Sequence, residues 1–154
     1  MLYQAVLDTP VGRLLIEGTH IAVTAVRFVT PDTPAGKSCP VVNLARKQLQ
    51  EYFKGRRKKF DVPLSLEGRS EFQRGVLEHV AAIEYGQTST YADIARRVKR
   101  VTGPRAVGQA NARNPISIII PCHRVLGTNG KLTGYGGGIQ AKEWLLKHEK
   151  AILA

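Results

Sequence analysis

The residues most able to do covalent chemistry are Cys122 and the two that follow it, His123 and Arg124, after an apolar run and Pro121. A free thiol has a pKa of about 8.5 and is mostly protonated at neutral pH. Neighbouring basic side chains favour the thiolate, and an imidazole can accept the thiol proton. A buried structural cysteine beside a surface histidine is a commoner arrangement, so spacing alone leaves both interpretations open. Neither Cys39 nor Cys122 has a CxxC partner, so the pattern does not favour a zinc cluster or a redox pair.

Positive charge surrounds this cysteine in the sequence. The chain has 154 residues, of which 23 are Lys or Arg and 12 are Asp or Glu, for a formal net charge of +11. Residues 94–142 contain nine basic residues and no acidic one. This bias is typical of a phosphate-binding surface, although a solvated face is the alternative. A second basic cluster, residues 54–59, is interpreted as a solvated connector, with contact to a nucleic-acid backbone as the alternative.

Composition excludes several classes of protein. Hydrophobic residues make up 43% of the chain, which excludes wholesale disorder. No apolar run approaches the roughly 20 residues of a membrane helix. The N-terminus lacks the pattern of a secretory signal. Two cysteines cannot form a disulfide framework, so we expect a reducing compartment, the cytoplasm.

The elements that must position the cysteine fall into two domains, predicted at 1–66 and 67–154. In the first, short apolar runs within residues 1–30 predict two or three antiparallel strands, followed by a helix over 41–53 and a short strand at 60–64. In the second, helices are predicted over 71–83, 91–98, 104–113 and 139–149, with an extended run at 116–120. The two helices joined by the tight connector 99–103 resemble a helix-turn-helix. The fold class is therefore α/β (α+β).

The helix predicted over 104–113 is unusually bare. It carries Ala106, Gly108, Ala110 and Ala112, and an interior glycine costs about 1 kcal/mol relative to alanine. Close packing against another helix would explain this, and so would close approach to a nucleic-acid minor groove. In the second case Arg105 is a candidate to enter the base stack.

Residues 114–125, NPISIIIPCHRV, resemble the active-site signature of the O6-alkylguanine-DNA alkyltransferases, also called methylated-DNA–protein-cysteine methyltransferases. Residues 91–95, 105–108, 134–138 and 142–146 also resemble family blocks, in family order. The resemblance is strong over residues 70–150 and loose over 1–66. It implies an N-terminal ribonuclease H-like domain and a C-terminal winged-helix-like domain that binds DNA and holds the active site. The implied activity is a single transfer of an alkyl group from O6 of a flipped-out guanine, or O4 of thymine, to the protein's own cysteine.

The resemblance also implies residue roles. Cys122 is the nucleophile, His123 its base and Glu143 the carboxylate that orients the histidine, while Asn114 supports the turn and Tyr91 hydrogen-bonds the base. The implied DNA contacts are Arg105, Ala106, Gly108, Ala110, Asn111, Arg113 and Arg124, with Arg105 filling the gap left by the extruded nucleotide. The implied base pocket is formed by Val125, Tyr135, Gly136 and Gly137. Several family members have serine at the position of Gly136, which leaves the range of lesions open.

The expected partner is double-stranded DNA carrying O6-alkylguanine, bound by a monomer that does not associate with membranes. We expect no cofactor, because the lesion itself donates the alkyl group, and no metal, because Cys39 is the only cysteine of the first domain. Three other classes remain as alternatives. An alkyltransferase-like binder would lack Cys122, a helix-turn-helix regulator with a sensing cysteine would normally read the major groove, and a cysteine peptidase would normally have a distant histidine.

Overall fold

The computed structural model describes residues 1–98 and 103–152 and divides into two compact units. Unit 1 comprises residues 1–67 with 115–119, and unit 2 comprises 68–114 with the chain from residue 120 onward. Segment 115–119, which the sequence analysis assigned to the second domain, therefore belongs to the first unit.

Unit 1 is a three-stranded antiparallel sheet with one helix packed on it. Strands β1 (Tyr3–Thr9), β2 (Gly12–Gly18) and β3 (Val23–Val29) lie in the order β1-β2-β3, and α1 spans Pro40–Phe53. The inward-facing Leu14, Ile16 and Val26 are fully buried. The strands and helix predicted in this part of the chain are confirmed. They could be predicted because the apolar spacing changes from a two-residue to a helical period where the chain leaves the sheet.

The free edge of β3 explains why segment 115–119 joins unit 1. The Val26 N–H donates to Pro115 O, and the Ser117 N–H donates to Val26 O, both at 2.9 Å. An edge strand has unpaired backbone groups, and residues 115–117 satisfy two of them. The extended run predicted at 116–120 is interrupted at Ile118, where the chain turns with φ +72°. The strand predicted at 60–64 is reduced to a single bridge between Leu64 and Val23.

Unit 2 is mostly helical. It contains α2 (Glu71–Ala81), β4 (Ser89–Thr90), α3 (Tyr91–Arg97), α4 (Pro104–Ala112), β5 (Val125–Leu126) and α5 (Ile139–His148), and β4 pairs with β5 in parallel. Ser70 caps α2 by accepting from the Gln73 N–H, and Thr90 caps α3 by accepting from the Asp93 N–H. Helices α2, α3 and α4 pack on one another. The predicted connector 99–103 lies outside the described residues except for Gly103.

The core of unit 2 is apolar, with Leu77, Val80, Val107 and Leu145 fully buried. One of the two 3-10 turns in the described part of the chain, Cys122–Arg124, packs against α2 and α5, and the other spans Thr128–Gly130. Within the described ranges 1–98 and 103–152, no helix combines the length and apolar character needed to span a membrane.

Candidate active site

Two asparagines fix the turn that presents Cys122. Asn114, just beyond α4, donates from its side chain to Ile120 O at 2.8 Å. Asn111, on α4, donates to Cys122 O at 3.3 Å. These carbonyls lie on either side of Pro121, so the backbone around the cysteine is held by the end of α4. The structure thus places Asn114 where the sequence analysis expected it, at the turn itself.

The Cys122 thiol is only 6% exposed. Burial raises its pKa, and the smaller opposing effects of a hydrogen bond from the Asn114 side chain and of the Lys142 charge do not cancel that rise. The expectation that adjacent basic residues would favour the thiolate at rest is therefore wrong, because desolvation of the anion outweighs them. Cys122 rests as a thiol and needs a base to become a nucleophile.

His123 is completely buried and is the candidate for such a base. Burial lowers its pKa, so the ring is neutral at pH 7. Its Nε2 lies 2.8 Å from Glu149 Oε2. Burial acts to raise the pKa of Glu149, but hydrogen bonds from His123 and Arg124 lower it to about 2, so this carboxylate is ionised. Nε2 must therefore carry the proton and donate it, which leaves a lone pair on Nδ1.

The free lone pair on Nδ1 is the most reactive feature of the ring. Nδ1 is buried and has no hydrogen-bond partner among the described residues. In a folded protein such an atom is rarely left unpaired, and an unpaired one calls for a functional or solvent explanation. The neighbouring thiol is the acid nearest in sequence that could supply a proton.

The carboxylate that orients His123 is Glu149, so the prediction of Glu143 is wrong. Glu143 is 43% exposed at its side chain and pairs with Lys147 at 2.8 Å. Glu149 lies four residues after Leu145, on the buried face of α5 continued beyond its end. Helical periodicity places i and i+4 on one face, so the phase of the apolar residues could have selected Glu149 from the sequence.

Arg124 is buried and contributes to the same network. Its Nε and Nη2 donate to the two oxygens of Glu149 at 2.8 and 3.0 Å, and its Nη1 donates to Ile83 O at 2.6 Å. All three donor positions are thus committed inside the protein. The prediction that Arg124 contacts DNA is wrong, because its guanidinium neutralises and holds the carboxylate behind His123.

Lys142 is a site residue that the sequence analysis did not identify as one. It is fully buried, and its Nζ donates to Val125 O at 2.7 Å. Burial lowers its pKa to about 8, and the nearby Cys122 acts to raise it. A lysine three residues before the buried Leu145 lies on the apolar face of α5, and this position was the available signal.

The remaining predicted site residues include Tyr91, on α3, and residues of the glycine-rich loop 127–138. The Tyr91 hydroxyl shares a hydrogen bond with Thr133 Oγ1 at 2.6 Å. The Tyr135 ring packs edge-on against His123, with centroids 6.3 Å apart. Val125 is fully buried directly after the reactive turn. A Cβ built at Gly136 would have no heavy atom within 4 Å, so the absence of serine there is not imposed by packing.

The DNA contacts predicted on and just after α4 differ in their exposure. Arg105 and Arg113 are exposed, and Ala106 and Gly108 are partly exposed. Ala110 and Asn111 are buried, which corrects their assignment as DNA contacts: they face the protein interior.

The structure also explains which interpretation of the bare helix is favoured. A Cβ at Gly108 would lie 3.9 Å from the Tyr91 ring, an ordinary contact distance. Packing within unit 2 therefore does not require glycine at this position. No group of three His, Cys, Asp or Glu side chains suitable for a metal lies within the described ranges.

Comparison with known proteins identifies the family. The family described as "6-O-methylguanine DNA methyltransferase, DNA binding domain" matches residues 71–151, and the one described as "6-O-methylguanine DNA methyltransferase, ribonuclease-like domain" matches residues 2–66. A methylated-DNA–protein-cysteine methyltransferase of Methanosarcina acetivorans is 43% identical, with 96% of this chain and 98% of that protein aligned. The Mycobacterium bovis protein of the same name is 41% identical, with 98% and 94% aligned.

Solved structures give the same result. The O6-methylguanine methyltransferase of Mycobacterium tuberculosis has a TM-score of 0.85 and 41% identity, covering 98% of this chain and 94% of that one. The Mycobacterium tuberculosis protein in complex with DNA has a TM-score of 0.84 and 42% identity, covering 95% and 91%. The fold and site define an enzyme with a reactive cysteine on a DNA-binding domain. The chain belongs to the methylated-DNA–protein-cysteine methyltransferase family.

Proposed function

We propose that this enzyme repairs O6-alkylguanine in double-stranded DNA by moving the alkyl group onto Cys122, once per protein molecule. The observation that carries the proposal is the orientation of His123. Its Nε2–H is fixed by Glu149, and its free Nδ1 lone pair is adjacent in the chain to a buried thiol. This is the tautomer that a base for the thiol must have.

The reaction balances without a cofactor. His123 Nδ1 takes the proton of Cys122 through a bridging water, and the sulfur attacks the alkyl carbon as the bond from that carbon to O6 breaks. The guanine anion leaves and takes up one proton, so the products are unmodified guanine and an S-alkyl cysteine. A thioether does not readily give up its alkyl group to another nucleophile, so the enzyme is consumed. The hydroxyl of Tyr91, at the start of α3, is the donor we assign to the leaving base.

Helix α4 is the element we assign to DNA. Its exposed side offers Arg105 and Arg113 together with the small residues Ala106 and Gly108. A small-residue surface lets the backbone approach a minor groove closely, and an arginine can occupy the space of an extruded nucleotide. All groups assigned to the reaction come from one chain, so we propose that a monomer acts on each lesion.

Intact-protein mass spectrometry tests the proposal directly. Incubation with a duplex containing one O6-methylguanine should add the mass of a methyl group less one hydrogen, and peptide mapping should place it on Cys122. Cys39→Ser is the matched control, since Cys39 is also buried and should not be needed. Cys122→Ser should show no gain. No mass change in the wild-type protein with the damaged duplex would refute the proposed function.

A competition experiment defines the lesion. Duplexes with O6-methylguanine and O4-methylthymine, supplied together in excess over the protein, should give loss mainly of O6-methylguanine. Preferential loss of O4-methylthymine would refute the assignment to guanine.

A further inference from the structure

The end of α1 carries a dense cluster of cations that the proposed repair mechanism does not use. We call residues 54–59 the basic turn. It contains Lys54, Arg56, Arg57, Lys58 and Lys59 and no acidic residue. The sequence analysis interpreted this segment as a solvated connector. In the structure this connector is an exposed turn whose backbone is fixed at both ends.

Backbone hydrogen bonds fix the start of the basic turn. Gly55 has φ +75°, and its N–H donates to Tyr52 O at 3.0 Å, while the Arg56 N–H donates to Glu51 O at 2.9 Å. These two bonds and the left-handed glycine form a Schellman motif, a common way to end a helix.

Side chains fix the rest of the basic turn. Arg57 donates from Nε to Glu51 Oε1 and from Nη1 to Lys59 O, both at 2.9 Å. The buried Gln48 accepts from the Asp61 N–H at 2.8 Å and donates to Asp61 O at 3.1 Å, which clamps the chain where it leaves the turn. Arg57 is thus used to hold the loop, and the other four cations are displayed on a fixed backbone.

These four cations are exposed, and three of them are not neutralised. Lys54, Arg56 and Lys59 form no ion pair with any residue of the described part of the chain. A helix C-terminus stabilises nearby cations, but that effect ends within the last turn and does not extend to Lys58 or Lys59. Helix capping therefore does not account for the whole cluster.

We propose that the basic turn is a second DNA-contacting surface, which binds the sugar–phosphate backbone of duplex DNA without reading sequence and is separate from α4. Lysine is depleted at protein–protein interfaces, whereas phosphate contacts depend on it, so the composition favours nucleic acid over a protein partner. The choice of duplex DNA rests on the proposed function. A backbone-contacting surface outside the lesion-binding helix increases affinity for undamaged DNA and so helps the protein to search for lesions.

Salt dependence of DNA binding tests this role. The full-length triple variant Lys54→Gln, Arg56→Gln, Lys59→Gln is compared with a control triple, Lys37→Gln, Arg69→Gln, Lys150→Gln, which removes the same charge from exposed positions elsewhere. Binding to an undamaged fluorescent duplex is measured by anisotropy from about 50 to 200 mM salt. The slope of log K against log salt is negative, and each lost phosphate contact makes it less steep by about 0.9.

We expect the slope of the basic-turn variant to be less steep than that of the wild type by about 2 to 3. The control triple should show a smaller change. Equal slopes for the two triples would overturn the proposal. Both variants should melt like the wild type by circular dichroism and should react at the wild-type rate with free O6-benzylguanine, which needs no DNA. If the basic-turn variant shows the expected change in slope but the wild-type protein transfers no alkyl group, the proposed function is refuted and the role of the basic turn remains supported.

Discussion

Replacement of Glu149 tests whether Glu149, as the structure indicates, or Glu143, as the sequence analysis predicted, orients His123. In Glu149→Gln the side chain keeps its size but loses its charge, and its amide N–H₂ can face His123. An N–H donor opposite Nε2 favours the tautomer with the proton on Nδ1, which removes the lone pair that must accept the thiol proton. Arg124 at the same time loses its only carboxylate partner among the described residues.

The size of the effect follows from the pKa of Glu149. Its fall from 4.5 to about 2 corresponds to about 3 kcal/mol of stabilisation in the folded state, and breaking a buried ion pair typically costs about 3–5 kcal/mol. Because the folded pKa is the lower one, this stabilisation is present above pH 4.5 and is lost as pH falls towards 2. The variant should therefore unfold about 3 kcal/mol more easily at pH 7 and should lose less stability than the wild type on acidification. The alkyl-transfer rate should fall by about 100-fold or more, as expected for loss of a general base.

The assay uses free O6-benzylguanine, so that DNA binding does not contribute, at a temperature where both proteins are folded. Rates are measured against pH, and urea unfolding gives the free energies. Glu143→Gln is the matched control, because Glu143 lies on the same helix in an exposed pair with Lys147. We expect that control to change stability by less than about 0.5 kcal/mol and to leave the rate unchanged. Equal rate losses in the two variants, or a loss confined to Glu143→Gln, would refute the assignment of Glu149.

Three other substitutions probe separate parts of the site. Lys142→Met should move the pH–rate profile to higher pH, since this lysine lowers the pKa of Cys122. An unshifted profile would count against an effect of Lys142 on the thiol. Gly108→Ala should stabilise the fold by up to about 1 kcal/mol, because the new methyl group fits beside Tyr91, yet slow repair in duplex DNA; undiminished duplex repair would argue against close groove approach. Arg105→Ala should slow repair of duplex DNA more than reaction with the free base, and equal losses on both substrates would contradict a role in base extrusion.

The sequence predicted the elements of the site well where local patterns determine them. The helices predicted to begin at residues 71 and 91 do begin there, since the side-chain oxygens of Ser70 and Thr90 meet free N–H groups regardless of the rest of the fold. Segment 115–119 lies in the predicted second domain and within the family match over 71–151, yet it packs in unit 1. Its partner is the edge of β3, 90 residues away in the chain, which leaves no local signal. The distinction between Glu143 and Glu149 required only the phase of α5, which the sequence contains.

Arg124 and Lys142 show a different limit of sequence reasoning. Both lie in a segment without acidic residues, and both were counted with the cations available to a polyanion. In the fold they are buried, one against Glu149 and the other against the Val125 carbonyl. A count of charges in the sequence overestimates the basic surface wherever a cation has an interior partner distant in the chain.

Burial of the reactive turn reconciles a raised thiol pKa with a nucleophilic role. A thiolate exposed to water would be consumed by other electrophiles and oxidants, whereas the buried thiol of Cys122 stays protonated at rest. In the proposed mechanism its proton passes to Nδ1 of His123, and the positive ring that results is stabilised by ionised Glu149 at 2.8 Å. Charge separation then occurs between groups already desolvated and oriented, so little reorganisation is needed when an alkyl group arrives. The same arrangement predicts that the rate will depend on Glu149 more strongly than on any exposed charge of the site.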